Sequence, residues 1–535
     1  MMEYNTHSRT IRTLSGPLDL RIHVRVCKDH GESNRTAINT LVGGSDFDPR
    51  VTIATGIMRW LMDYQISEIQ ILLESIGISI STGEISNLST EFLLRFYCMH
   101  RRHMEDMGLK EYILHLDGTG ESGSEIVFMA KDGLTGITMD ACIMPSESSE
   151  YITPFLQGIS DAFGDPVSVL RDMGIAIKES VSAVFPGILQ LICHYHFIKA
   201  LGKDIFSSYA ELRSSMVSTK KLAAISNITK PEKGDGIVYA EKLWIAIASE
   251  YILYPRNIPS KYPFALPYFE ILKRCMEIEG MLKSIIRWNT THMKIVKPVT
   301  DIYATVIGIT HSTVVLERYR IIVRAWKWFE SVRNALRVSR DMSSHGFKNE
   351  SMDINAMGKD LDDALSDIIK EGEFTGGELK RISGIFSKRI EDHRKELLSP
   401  VTGKNGKTIN VVRHNGIEEI GHRWSRMHIR RRTGRSQTAR EMGKYGALTA
   451  VLSNVENKHY IENILSKIDF LKEFTSITED ELDSAGKLIR PNPCEPIIGK
   501  DKERKPALIA LVKILEINDN LPEKDLNAWV EPIKI

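Results

Sequence analysis

The stretch 112-YILHLDGTG-120, carried on by 126-IVFMA-130, 137-ITMDACI-143, 166-PVSVLRD-172 and 188-ILQLICHYH-196, decides the fold. Each run is short and apolar and is bounded by glycine, proline or aspartate, the residues that punctuate strands. Lys131-Asp132-Gly133, between the second and third runs, suits an antiparallel hairpin. Helical patterns over Tyr151–Phe163 and Ile175–Val184 separate the later runs, and Pro186-Gly187 turns the chain into the last one. The predicted order is three strands, a helix, a strand, a helix, a strand and a helix: an α/β fold. Asp117 and Asp172 both stand where a strand is expected to end. In open α/β sheets ligands bind in the crevice outside the carboxyl ends of strands, so the two carboxylates are expected to face one crevice. One strand-exit aspartate has a purely local explanation in turn chemistry, whereas two in this order are more specific.

Outward from that stretch the 535-residue chain is longer than one ordinary domain and predicts three or four units. It is 42% apolar and 26% charged, with mean hydropathy −0.17, an ordinary globular composition. No apolar run approaches the ~18–20 residues that span a bilayer, which excludes an integral membrane protein. The opening MMEYNTHSRTIRTLSG lacks an apolar signal core, and six scattered cysteines form no Cys-x-x-Cys pair, so a reducing cytoplasm is expected. Seventy basic residues balance 69 acidic ones, so any nucleic-acid surface must come from local clustering.

The expected organisation is a strand-rich lead-in (1–48, with Leu18–Val26 alternating like a strand), then a helical region (49–105). The α/β core (110–205) comes next, followed by a helical stretch (206–408) in which Leu266–Trp288, Thr313–Val338 and Gly377–Leu398 are apolar at helical spacing. A turn-rich VTGKNGKTINVV leads into a segment with a basic helix (409–465), and a helical, later proline-punctuated tail (466–535) closes the chain.

Within the first helical region, Ser67–Phe96 has the layout of a helix-turn-helix. Ser67 would cap a helix with Ile69, Leu72, Leu73 and Ile76 on its apolar face. Gly77 would take the left-handed turn position, and Ile78 and Ile80 would fill the gap between the helices. A second helix from Ser81 or Thr82 would bury Ile85, Leu88 and Phe92 and leave Thr82, Ser86 and Asn87, with Ser81 and Glu84, free to approach DNA. An αα-hairpin that only packs or dimerises gives the same pattern. Few cations lie on that helix, although Arg101, Arg102 and His103 follow it.

Between Arg423 and Arg435 the chain carries six arginines and no acid: Arg423, Arg426, Arg430, Arg431, Arg432 and Arg435. A neutral chain with such a cluster is better explained by phosphate binding than by solubility. Trp424, His428 and Tyr445 are interleaved and could stack on frayed bases, with core packing the simpler role for Trp424. Glu419, Arg423, Arg426 and Arg430 fall on one helical face, whereas Glu418 projects about 100° away. Glu441 has a local role available, because Thr438-x-x-Glu441 spells a capping box. Cys193-x-x-His196 has no second pair at zinc-finger spacing, so a structural zinc is not expected. A buried cysteine at a strand end with a packed or capping histidine is the bland alternative.

The strand order, HLDGTGE, VLRDMG and AVFPGILQLICHYHF resemble the ribonuclease-H-like core of DDE transposases of the insertion-sequence type, including the Mutator-like group. In that group a Cys-x-x-His follows the second aspartate, and here Cys193 and His196 take that place as site-supporting residues. A helical insertion precedes the last catalytic helix in such enzymes, and their glutamate precedes a basic helix ending Arg-Arg-x-Thr-Gly-Arg. Here Arg413-His414-Asn415-Gly416-Ile417-Glu418-Glu419 and Arg431-Arg432-Thr433-Gly434-Arg435 match, with His-Asn-Gly where Thr-Asn-Asn is typical. The resemblance covers about residues 66–460, with the insertion adding little. It implies a ribonuclease-H-like core interrupted by a large helical insertion, with an N-terminal helix-turn-helix. It also implies that Asp117, Asp172 and Glu419, rather than Glu418 or Glu441, hold two Mg2+ (or Mn2+) ions. Such ions serve an in-line phosphodiester displacement. The implied reaction nicks transposon ends with water and then joins the freed 3′-hydroxyl to target DNA. The implied partners are double-stranded DNA and further copies of the chain. A catalytically silent DNA-binding descendant and a metal-dependent nuclease of the same fold are the rival readings.

Overall fold

The computed structural model describes residues 2–26, 33–35, 45–106, 111–120, 124–218, 222, 225, 237–257, 262–288, 293–338, 353–413 and 416–489. β1 (Met2–Thr13) and β2 (Gly16–Val26) form a long antiparallel hairpin, and β3 (Ser33–Arg35) adds to β2. Asp48 caps α1 (Pro49–Trp60), accepting from the Arg50 N–H at 2.8 Å, and Pro49 supplies the helical φ of the first turn.

α2 (Ile66–Ser75) is capped by a Gln65–Glu68 capping box rather than by Ser67. Its buried face is narrower than expected: Ile69 and Leu73 are inside, while Leu72 and Ile76 are exposed. Gly77 takes φ +84°, a left-handed conformation open to glycine, and the chain then enters α3 (Thr82–Asp106) with the Ser81 hydroxyl accepting from the Glu84 N–H. Ile78 and Ile80 join Ile69, Leu73, Ile85 and Leu88 in one cluster, so the gap between the helices is filled as expected. α1 crosses α3 closely, and a methyl group on Gly56 would run into the Phe92 ring.

The strands of the opening stretch are β4 (Ile113–Thr119), β5 (Ile126–Asp132), β6 (Thr138–Met144), β7 (Ser168–Arg171) and β8 (Leu189–Ile192), in the order β6-β5-β4-β7-β8. β5 and β6 are antiparallel, and their turn is closed by Asp132, whose carboxylate accepts from the Leu134 and Thr135 N–H groups. β7 runs parallel to β4, and β8 parallel to β7. α4 (Ser149–Phe163) and α5 (Ile175–Val184) make the crossovers, and Cys193 opens α6 (His194–Ile205). The α/β architecture with a mixed five-stranded sheet is as the sequence predicts.

The following helices are α7 (Ser207–Ser218), α8 (Ile237–Leu253), α9 (Pro267–Trp288), α10 (Met293–Thr310), α11 (Thr313–Ala335), α12 (Ile354–Thr375) and α13 (Gly377–Leu398). Their apolar faces meet around Leu272, Val306, Phe329, Leu361 and Phe386. The turn-rich stretch after α13 pairs as a small hairpin, β9 (Val401–Thr402) with β10 (Thr408–Ile409), and Val401 and Val411 pack on Ile113, Leu170 and Leu191. α14 (Gly416–Thr433), α15 (Ala439–Leu452), α16 (Lys458–Asn463), α17 (Phe470–Ser476) and α18 (Glu479–Gly486) complete the described chain. No single described helix is long and apolar enough to cross a membrane.

Two compact units divide the chain: the described residues within 1–110, 116–164 and 420–535, and those within 111–115 and 165–419. The division falls inside β4 and inside α14. In the first unit α15 packs on β5 and β6, around Val127, Met129, Ala141, Ile429 and Met442.

Candidate active site

Asp117 lies inside β4, which continues to Thr119, and is buried at 8% exposure. It belongs to the first unit. Its neighbour Gly118 sits under the Glu147 carboxylate, which a methyl group at that position would strike. Glu147 is a carboxylate that sequence reading passed over, because it lies in a loop among serines and proline with no pattern around it. Arg426 of α14 donates to Thr119 Oγ1, tying the basic helix to the strand that carries Asp117.

Asp172 follows the last residue of β7 in the second unit. Its Oδ1 accepts from the Gly174 N–H at 2.7 Å, a local turn that leads into α5. The preceding residue, Arg171, is fully buried. Its guanidinium donates to Gln190 Oε1 at 2.7 Å, the Asp172 carbonyl at 2.8 Å and Glu396 Oε1 at 2.8 Å. Glu396 also receives Lys178 at 3.0 Å and His393 at 2.8 Å. Burial alone would raise the Glu396 pKa, but hydrogen bonds from His393 and Lys178 and the Arg171 charge outweigh it and hold the carboxyl below its usual value. This ionic hub is a second feature the sequence did not disclose, since its members are 225 positions apart.

Cys193 is buried and its N–H donates to the Arg171 carbonyl at 2.8 Å. The histidine most tightly held is His194 rather than His196. His194 Nδ1 lies 3.2 Å from the Leu336 carbonyl and Nε2 lies 3.0 Å from the Leu397 carbonyl, at the C-terminal ends of α11 and α13. Burial pulls its pKa down to about 4, against the pull of the two carbonyls. His196 is half-buried, and its Nδ1 has no hydrogen-bond partner among the described residues.

Glu419 and Glu418 lie on the first turn of α14, and their side chains are outside the described part. Among the described residues no three His, Cys, Asp or Glu side chains gather at one point as a metal site does. Glu441 departs from the capping-box expectation. Thr438 makes no side-chain cap, and Glu441 lies 3.8 Å from Arg432.

α14 separates its arginines by helical face. Arg423, Arg430, Arg431 and Arg435 are exposed, as is Arg440 on the next helix, while Arg426 is half-buried. Arg432 differs: it is 2% exposed, with its guanidinium 4.3 Å from the Trp60 ring centroid, and burial lowers its pKa to about 10. Trp424, His428 and Tyr445 are all buried. Trp424 packs against His428, His428 Nδ1 meets Asp63 at 2.7 Å, and Tyr445 meets Trp60 edge-on, so none of these rings is presented to a base.

On α3, Thr82 and Asn87 are exposed and Ser86 is half-buried. The cations beyond them are engaged elsewhere. Arg101 pairs with Asp140 at 2.9 Å, Arg102 with Glu481 at 2.6 Å, and His103 faces Glu473. They therefore lend α3 no positive face. No protein-family model matches the chain, and no match to a curated protein was found.

Proposed function

We propose that the chain is a DDE transposase of the insertion-sequence type, which cuts and rejoins DNA at the ends of a mobile element. The observation that supports this most directly is the parallel pairing of β4 with β7. Their pairing runs to His115↔Leu170; Asp117 stands two residues further along β4, and Asp172 directly follows β7. In open α/β sheets the ends of parallel strands are where ligands bind, and both aspartates stand near such ends. The core is read as ribonuclease-H-like, with the helices between α6 and β9 as its insertion.

The proposed donor set is Asp117, Asp172 and Glu419, three hard oxygen ligands and no sulfur, which fits Mg2+ or Mn2+. Divalent cations held there would supply the electrostatic stabilisation that an in-line phosphodiester displacement needs. Within the first unit, Arg426 anchors α14 beside Asp117, and Arg423, Arg430, Arg431 and Arg435 face outward to hold phosphates. Arg432 is left out of that role because it is buried.

The test uses the full chain, linear DNA carrying the repeats that flank its gene, and Mg2+. The expected result is strand-transfer product from the wild type. Asp117→Asn and Asp172→Asn should give no product but retard the DNA undiminished. Cleavage without joining would replace the proposal with a nuclease, and retardation alone with a silent DNA-binding protein.

A further inference from the structure

A cavity of about 770 Å³ opens in the second unit, lined by Tyr209, Arg213, Tyr262 and Tyr268 together with smaller residues of α7. That volume is in the range that holds small ligands. Its walls are built from rings. Tyr209 and Tyr262 stack with centroids 5.7 Å apart and planes 12° from parallel, and Tyr268 tilts against Tyr209 at 6.5 Å. The Tyr268 N–H donates to the Tyr209 hydroxyl at 3.2 Å, which fixes Tyr209 as the buried base of the stack. Tyr262 keeps 38% of its surface exposed.

An exposed guanidinium of the lining, Arg213, lies 5.6 Å from the Tyr268 ring centroid. Nearby acids are already paired: Asp204 with Arg389 at 2.6 Å and Glu211 with Arg318 at 2.6 Å. Arg213 has no ion pair or hydrogen bond among the described residues. The cavity therefore offers π-faces and positive charge together. A purely apolar ligand would leave the charge unused, and an inorganic anion would leave the rings unused. A flat base joined to a phosphate uses both.

We propose that this cavity is a nucleotide-binding subsite, with a base stacked on the exposed Tyr262 and its phosphate held by Arg213. The nucleotide comes either from an unpaired stretch of a DNA strand or from the free pool. Neither source depends on Asp117 or Asp172.

The experiment measures binding by fluorescence anisotropy with the full chain in a metal chelator. The probes are a labelled 12-nucleotide single strand and its duplex, with deoxyadenosine monophosphate as competitor. Tyr262→Ala should weaken single-strand binding roughly 5- to 150-fold, while Tyr262→Phe, which keeps the ring, should bind like wild type. Arg213→Ala should lower the slope of log affinity against log salt by about 0.7. An oligomer that outbinds the mononucleotide assigns the source to a DNA strand, and equal affinity assigns it to a free nucleotide. If Tyr262→Ala and Arg213→Ala bind every probe as the wild type does, the proposal is overturned. The assay reads binding without divalent metal, so its failure leaves the cleavage proposal standing, and the reverse holds.

Discussion

Replacing His194 by glutamine should flatten the acid side of the second unit's stability curve. In the folded chain the imidazole titrates at about 4, against an ordinary 6.5, because burial disfavours its charged form. A lowered histidine pKa means that the unfolded chain binds more protons between those two values. Stability is therefore complete above the unfolded pKa and declines as pH falls from 6.5 toward 4. The full gap corresponds to about 3.4 kcal/mol, of which about 2 kcal/mol is lost by pH 5. The contacts make this cost unavoidable. A neutral imidazole has one N–H, so it satisfies only one of the Leu336 and Leu397 carbonyls, and adding the second proton places a charge where water does not reach. The assay is urea unfolding at pH 7.5 and pH 5.0 for the wild type and His194→Gln, followed by hydrogen exchange on α11 and α13. In the second unit Glu279, Asp362 and Glu396 are all held below the usual carboxylate value by their partners, which keeps them out of this window. His100, buried in the first unit with a pKa of about 4 for the same reason, contributes its own share and serves as an internal reference. The variant should lose about 2 kcal/mol less than the wild type between the two pH values. An unchanged pH dependence in His194→Gln would refute the assignment.

Four further outcomes are expected. Gly56→Ala should destabilise the first unit by about 1–3 kcal/mol, seen as a lower thermal midpoint, because its methyl group collides with Phe92. Glu396→Gln should cost about 1–3 kcal/mol at pH 7 by leaving the buried Arg171 guanidinium short of its counter-charge, read by denaturant unfolding. Alanine at Arg423, Arg430, Arg431 or Arg435 should leave stability unchanged and lower the salt slope of duplex binding by about 0.9 for each phosphate no longer neutralised. Arg432→Ala should do the opposite, costing about 2 kcal/mol of stability because the Trp60 ring loses its closest guanidinium, and leaving that slope alone.

Much of the sheet was legible because its strands are short and their ends are marked by glycine, proline and aspartate. α5 and α13 were readable to the residue for the same reason. Helix caps were less legible. Ser67 and Thr438 are the preferred residue types, yet Gln65 caps α2, and Glu441 turns to Arg432 instead of back to its own helix start. A capping preference of about 1 kcal/mol is easily overridden by a buried guanidinium that needs a carboxylate. The inward turn of Arg432 had a signal, since Ser425, Ile429 and Arg432 recur at helical spacing and all are buried. Reading every arginine of the run as one surface hid it. The preference for His196 over His194 came from motif spacing. What distinguishes His194 is a pair of carbonyls 142 and 203 positions away, which no local pattern encodes.

The inward arginine also bears on kinetics. A polyanion approaching from solution responds to the field of outward guanidiniums, and a cation buried over an indole with Glu441 beside it adds little to that field. The encounter rate of this surface with DNA is therefore set by the outward members alone. Its fall with ionic strength should be shallower than a tally of the arginine run suggests.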